Sequence, residues 1–195
     1  MESEKVPEFK VVLLGNSGVG KTSIINRYIN NYFNPTYTPS TGISFLRKTI
    51  TLPKSHKNVK LAIWDTMGQE NYHSVAHINY HGASAFVLVY SITSKASFDG
   101  LKFWLADVKE KGPEKHLKMI VGNKGDLIEE EEVRLEDLKR LATAEKTLSR
   151  VVSAKNDMGV EELFEELAEK LYKIQKPKKE GVNINQRNRT WNCCF

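Results

Sequence analysis

The chain has 195 residues, 40% hydrophobic and 27% charged, the proportions of an ordinary globular protein with enough chain for one domain and a tail. Its net charge of +5 is carried entirely by Lys173 to Phe195, where six cations face one acid, Glu180; the body is neutral, unlike a nucleic-acid-binding domain with basic residues across its fold. No apolar run nears the roughly 18 residues of a membrane span, Met1-Glu2-Ser3-Glu4-Lys5 is no signal peptide, and Cys193 and Cys194 lie where no fold needs a disulfide.

After an extension over residues 1–8, Phe9 to Leu14 reads as a buried strand, and Gly15-Asn16-Ser17-Gly18-Val19-Gly20-Lys21-Thr22 as a turn opening a helix, since Ile24, Ile25, Tyr28 and Ile29 recur at helical spacing. Tyr32 to Thr41, with Pro35 and Pro39, reads as an exposed loop. Ile43–Ile50 and Val59–Trp64 flank the turn-like stretch from Pro53 to Asn58 and predict an antiparallel hairpin. Ala83–Tyr90, Lys118–Gly122 and a weaker Arg150–Val152 are further strands, with helical patterns near Phe98–Lys111 and Leu135–Leu148 between them. Val160, Leu163, Phe164, Leu167 and Leu171 form the apolar stripe of a last helix. Continuous apolar strands alternating with helices predict a doubly wound α/β fold: a six-stranded, mostly parallel sheet with one antiparallel edge strand and helices on both faces. The domain should run over residues 9–174. From Gln175 the apolar period stops, so 175–195 reads as a disordered basic tail suited to an anionic membrane surface.

The opening turn matches the phosphate-binding pattern GxxxxGK[ST] in the strand–turn–helix context that pattern needs. Backbone N–H groups and the positive helix end converge there on one point, which suits a polyphosphate. Lys21 would reach the β- and γ-phosphates, and the Thr22 hydroxyl would meet Mg²⁺. In a doubly wound sheet ligands gather at the carboxyl ends of strands, so motifs after successive strands should converge. Asp65-Thr66-Met67-Gly68-Gln69-Glu70 follows the third strand, where Asp65 can hold Mg²⁺ through water and Gly68 lets the backbone approach a γ-phosphate. Asn123-Lys124-Gly125-Asp126 follows the fifth, and Ser153-Ala154-Lys155 the sixth. Guanine offers an N1–H and an amino group side by side, which the Asp126 carboxylate can accept together; adenine offers an acceptor there. Lys124 would lie along the base, Asn123 would tie loops together, and the Ala154 N–H would bond the guanine oxygen.

With these motifs in this order, the sequence resembles the Ras-like small GTPases, and among them the Rab family, from Phe9 to the C-terminus. The resemblance implies a P-loop G domain using GTP/GDP and Mg²⁺, slow GTP hydrolysis, and switching in membrane traffic. It places Ser17, Gly18, Val19, Gly20, Lys21, Thr22 and Ser23 on the phosphates, Phe33 and Tyr37 beside the nucleotide, and Ser153 and Lys155 with Ala154 around the base. Thr22, Ser40 and Asp65 would serve Mg²⁺, and Gln69 would orient the attacking water, with Lys21 as its catalytic companion. Trp64, Tyr80-His81-Gly82-Ala83 and Cys193-Cys194-Phe195 look more like Rab than Ras. Two prenyl groups on Cys193 and Cys194 would hold the protein on the cytoplasmic face of intracellular membranes, cycling with the cytosol, and Asn192 rules out a C-a-a-X box. The implied partners are GTP-dependent effectors, an exchange factor, a GTPase-activating protein and prenylation or extraction chaperones, with a monomeric G domain and no nucleic acid.

Some residues depart from the family pattern. Ser40 stands for the switch threonine, with Thr41 beside it; Met67 replaces a small residue near the γ-phosphate; Gly125 and Asn71 are milder changes; and Asn79 replaces an aromatic of the effector-read triad whose other members are Phe45 and Trp64. Ser40 and Met67 keep open a docking module with impaired hydrolysis or switching. An ATP-using P-loop enzyme is a further alternative, against which Asp126 speaks. His73, His77 and His81 recur every fourth residue and could share one helical face as a metal site or pH sensor, and the acidic run Glu129 to Glu132 could bind a cation; both read instead as solvated surface.

Overall fold

The computed structural model describes residues 6–36, 44–66 and 80–175. Six strands form one sheet in the order β2-β3-β1-β4-β5-β6: β1 (Glu8–Leu14), β2 (Ser44–Thr51), β3 (Asn58–Asp65), β4 (Ala85–Ser91), β5 (Leu117–Asn123) and β6 (Leu148–Val151). β2 pairs with β3 antiparallel, and the other neighbours run parallel. The helices are α1 (Lys21–Asn30), α2 (Lys95–Asp99), α3 (Leu101–Lys111), α4 (Leu135–Ala144) and α5 (Val160–Gln175). This is the expected doubly wound sheet with one antiparallel edge.

Alternation along β1 divides the core in two. Phe9, Val11 and Leu13 face α1 and α5, meeting Ile24, Ile25, Tyr28, Leu163, Phe164 and Leu167. Val12 and Leu14 face the opposite layer, with Trp104, Leu105 and Val108 of α3 and Leu138 of α4. β4 is buried along its whole length, as a strand covered on both faces must be.

Several strand ends differ from the sequence reading by a single residue, and four further differences have a local reason. The single pattern over Phe98–Lys111 is two helices divided at Gly100, which keeps helical dihedrals but whose carbonyl accepts the Phe103 N–H at 3.1 Å in a tighter turn; α2 begins earlier, at the Ser94 cap, whose hydroxyl accepts the Ser97 N–H at 3.2 Å. The pattern to Leu148 stops at Ala144, where Lys146 takes a left-handed φ of 49° and the Thr147 N–H returns to the Ala142 carbonyl at 2.9 Å. The last strand occupies Leu148–Val151, slightly upstream of the expected Arg150–Val152, because Met119 to Gly122 of β5 fix its register. β4 starts at Ala85: Ala83 closes the preceding turn on the Tyr80 carbonyl at 3.0 Å, and Ser84 is a bend that already bonds Lys10 and Leu117 on either side. Glu129 to Glu132 are all exposed, the first two in a 3₁₀ turn over Ile128–Glu130, and Glu132 also accepts the Lys95 N–H at 2.7 Å, so the acidic run is solvated surface with one structural member.

β1 lies where the strand order reverses, with β3 on one side and β4 on the other. Its carboxyl end is therefore the topological switch point, and the glycine-rich turn begins there.

Candidate functional site: a phosphate loop and a base loop joined by Asn123

The turn after β1 is shaped by contacts that exclude side chains. Gly15 has φ 141°, and a Cβ there would lie 2.1 Å from the Val89 carbonyl oxygen. Gly20 has φ 94°, and its Cβ would lie 2.3 Å from Asn123 Nδ2. Both positions need glycine for conformation and for space. Gly18, at φ 75°, needs it for conformation alone.

Lys21 is buried at the head of α1, its ammonium donating to the Gly15 and Asn16 carbonyls at 2.8 and 3.0 Å. The loop thus holds its cation at the mouth of the turn. The Thr22 hydroxyl donates to Asp65 Oδ2 at 2.6 Å, joining the start of α1 to the end of β3. Asp65 Oδ1 is buried without a hydrogen-bond partner. Burial raises the Asp65 pKa, against the Thr22 hydrogen bond and the nearby Lys21 charge. A buried carboxylate with one open oxygen beside a threonine hydroxyl fits a small hard cation, and Thr22 and Asp65 are the described residues that would hold Mg²⁺.

The second half of the site gathers after β5 and β6. Asp126 Oδ1 accepts from the Ser153 hydroxyl at 2.6 Å, and the Lys155 ammonium stands 3.7 Å from Oδ2. Ser153 also accepts the Asn156 N–H at 3.1 Å. The carboxylate is thereby fixed in direction. Lys124 sits at a left-handed φ of 67°, where the backbone bends between Asn123 and Asp126. Asn123 is buried and connects both halves: its amide donates to the Val19 carbonyl at 2.9 Å, and its oxygen accepts the Ala154 N–H at 3.2 Å. The Ala154 N–H, expected to meet a guanine oxygen, donates to Asn123 Oδ1 in this structure.

The structure brings Val19, Gly20, Lys21, Thr22, Asp65, Asn123, Asp126, Ser153, Ala154 and Lys155 into one connected group. Ser23 borders the loop, its Cβ 3.9 Å from the Cβ that Gly20 lacks, and Ser17 lies exposed on the turn. Phe33 is half-buried against the α1–α5 side of the core, in the apolar cluster that also includes Val19 and Ala154. Phe45 and Trp64 meet on the hairpin with ring centroids 5.1 Å apart. Tyr37, Ser40, Met67, Gly68, Gln69, Asn71, His73, His77, Asn79, Cys193 and Cys194 lie outside the described residues.

Three further contributors were given no role in the sequence reading. Arg27 donates from Nε to the Ala154 carbonyl at 2.8 Å and from Nη2 to the Lys155 carbonyl at 3.0 Å. Trp104 Nε1 donates to Asn16 Oδ1 at 3.1 Å, fixing the phosphate loop against α3. The Thr66 hydroxyl donates to the Leu13 carbonyl at 2.6 Å, tying the end of β3 to β1. Only Arg27 had a local hint, as a cation in the last turn of a helix.

A strand–glycine turn–helix at the switch point, a buried lysine and a threonine–aspartate pair define a P-loop nucleotide-binding protein. The model of the Ras family matches residues 10–173. Ras-related protein Rab-31 of Rattus norvegicus is 43% identical over 85% of this chain and 84% of its own length. Ras-related protein Rab-17 of Homo sapiens is 42% identical over 89% of this chain and 80% of its own, and Ras-related protein RabC of Dictyostelium discoideum 34% over 90% and 89%. The chain belongs to the Ras family of small GTPases, in its Rab branch. It is a GTPase that works with GTP, GDP and Mg²⁺.

Proposed function

We propose that this protein is a GTP/GDP-switched regulator of intracellular membrane traffic, hydrolysing GTP slowly and recruiting effectors while GTP is bound. The observation that carries the reading is the connected site: a lysine cradle for phosphate, and Asp126 held by Ser153 beside Lys155 for the base, linked through Asn123. Lys21 binds the β- and γ-phosphates and offsets charge developing on them. Thr22 and Asp65 would hold Mg²⁺, with Ser40 as a further ligand in the GTP state, and the ion would neutralise and orient the phosphates. Asp126 accepts the guanine N1–H and amino group, and a pocket built this way rejects adenine because its buried acceptors would be left unpaired. Gln69 orients the attacking water, and Ser40 and Gly68 report the γ-phosphate to the two switch segments. No arginine is assigned to the transferring phosphate, so an activating protein that inserts one should add about 10³-fold or more in rate.

The further partners are an exchange factor, GTP-dependent effectors and chaperones for prenylation and extraction. Membrane attachment runs through prenyl groups on Cys193 and Cys194, helped by the basic tail. No described helix is long and apolar enough to cross a membrane. The docking-module alternative rests on Ser40 and Met67, and none of the described contacts favours it. Single-turnover GTP hydrolysis tests the enzyme reading: Gln69→Leu should slow it at least tenfold, and a rate indifferent to the substitution would overturn the role of Gln69. In protein from its native cell, intact mass should show two prenyl groups in the membrane fraction; an unmodified tail in that fraction would defeat the anchor.

A further inference from the structure

We infer that Arg27 is a positioning residue that sets how long the nucleotide stays bound, by locking the base loop to the helix that carries the phosphate residues. Its guanidinium bonds two segments, the base loop and the exit of α1. Nε and Nη2 donate to the carbonyls of Ala154 and Lys155 at 2.8 and 3.0 Å. Nη1 donates to Asn31 through its carbonyl at 3.2 Å and its side-chain oxygen at 2.9 Å. Asn31 is the left-handed cap of α1, at φ 49°, from which the chain departs toward Phe33. One planar group therefore fixes the base loop and the exit of α1 at once, using the fixed fork that a lysine lacks.

The path from Arg27 to the base is short. Ala154 and Lys155 adjoin Ser153, whose hydroxyl holds Asp126 at 2.6 Å, and Lys155 itself faces that carboxylate at 3.7 Å. The path to the phosphates is the helix: Lys21 and Thr22 open α1, and Arg27 lies in its last turn. Asn123 already joins the two halves at Val19 and Ala154. Arg27 is the second tie, on the opposite side of Ala154: Asn123 takes the N–H and Arg27 the carbonyl. With both in place, the distance between base and phosphate contacts is preset before nucleotide arrives, and preorganisation of that kind slows dissociation.

The inference rests on the nucleotide site proposed above, and a double-mutant cycle separates the two. Dissociation of fluorescent GDP from the Mg²⁺-loaded full chain would be followed for wild type, Arg27→Met, Asp126→Asn and the double variant. Methionine keeps most of the stem and removes every donor. Arg27→Met should release GDP about tenfold faster, the loss expected from two hydrogen bonds to backbone carbonyls, and Arg27→Lys should fall between it and wild type. Because Arg27 acts through the loop that holds Asp126, the double variant should be clearly less than multiplicative. If Asp126→Asn leaves release unchanged, the base site itself is wrong, and the clamp falls with it. If Asp126→Asn accelerates release but Arg27→Met does not, or the two effects multiply freely, Arg27 is only a helix-end contact and the inference fails. Should Arg27→Met not fold, the same cycle with Arg27→Lys decides: a wild-type release rate overturns the clamp.

Discussion

Gly15 and Gly20 show how little tolerance the phosphate loop has for a side chain. A Cβ at Gly20 would stand 2.3 Å from the amide of Asn123, and the φ of 94° is one that other residues rarely adopt. Gly20→Ala should therefore cost about 1–3 kcal/mol of stability from backbone strain and a similar amount from displacing Asn123. Thermal denaturation should show a melting point several degrees lower, with faster GDP release. Asn123→Ala removes the same link from the other side, leaving the buried Val19 carbonyl without its amide donor and freeing the Ala154 N–H. A loss of about 1–3 kcal/mol in urea denaturation is expected, together with weaker GDP binding. The glycines and Asn123 were each legible from their motifs. That Gly20 is glycine because of Asn123 was not, since the two stand about a hundred residues apart and meet only because β5 ends beside the turn.

Helix α5 is the element whose period was plainest, and its packing matches the stripe: Val160, Leu163, Phe164, Leu167 and Leu171 are all buried. Phe164 stacks on Tyr28 of α1 with centroids 4.0 Å apart. Phe164→Ala should cost about 3–5 kcal/mol through lost burial and the cavity left behind, measured by denaturant unfolding. On the opposite face, the buried Tyr80 hydroxyl donates to Asp107 Oδ2 at 2.7 Å, and Lys111 pairs with Oδ1 at 2.6 Å. Burial first, and then the Asp107 hydrogen bond and charge, raise the Tyr80 pKa well above the ordinary phenol range. The folded chain therefore keeps this proton where the unfolded chain, with a pKa of about 10, releases it. Stability from Tyr80 is complete below about pH 10 and is lost as pH climbs from there toward the folded pKa. Tyr80→Phe should cost about 1–2 kcal/mol near pH 8 and distinctly less near pH 11, read from unfolding curves at the two values. The burial of Tyr80 and its acid partner left no trace in the sequence, where the residue stood out only through the family-like run Tyr80-His81-Gly82-Ala83.

The molecule as a whole should behave as a fold that its ligand completes. Asp65 is buried with an open oxygen and a raised pKa, an arrangement eased by a cation. GDP with Mg²⁺ should raise the melting point, by about 2.7 kcal/mol of added stability at a hundredfold excess over Kd. Chelating Mg²⁺ should lower it again and speed GDP release; a melting point indifferent to the chelator would remove the ion from the account. Charge segregation, neutral body against basic tail, is read from the linear order of residues, as are the motifs and their succession after predicted strands, because those depend on neighbours within a few residues. The same holds for the alternation of strand and helix that made a doubly wound sheet the expected fold, since hydrophobic period is a local property. The pairing of β1 with both β3 and β4, the split at Gly100, the Arg27 clamp and the Trp104–Asn16 contact belong to the folded state alone. Arg27 meets Ala154 across 127 residues of chain, and a contact of that range is selected by how the whole core packs, which leaves no pattern in the residues on either side of it.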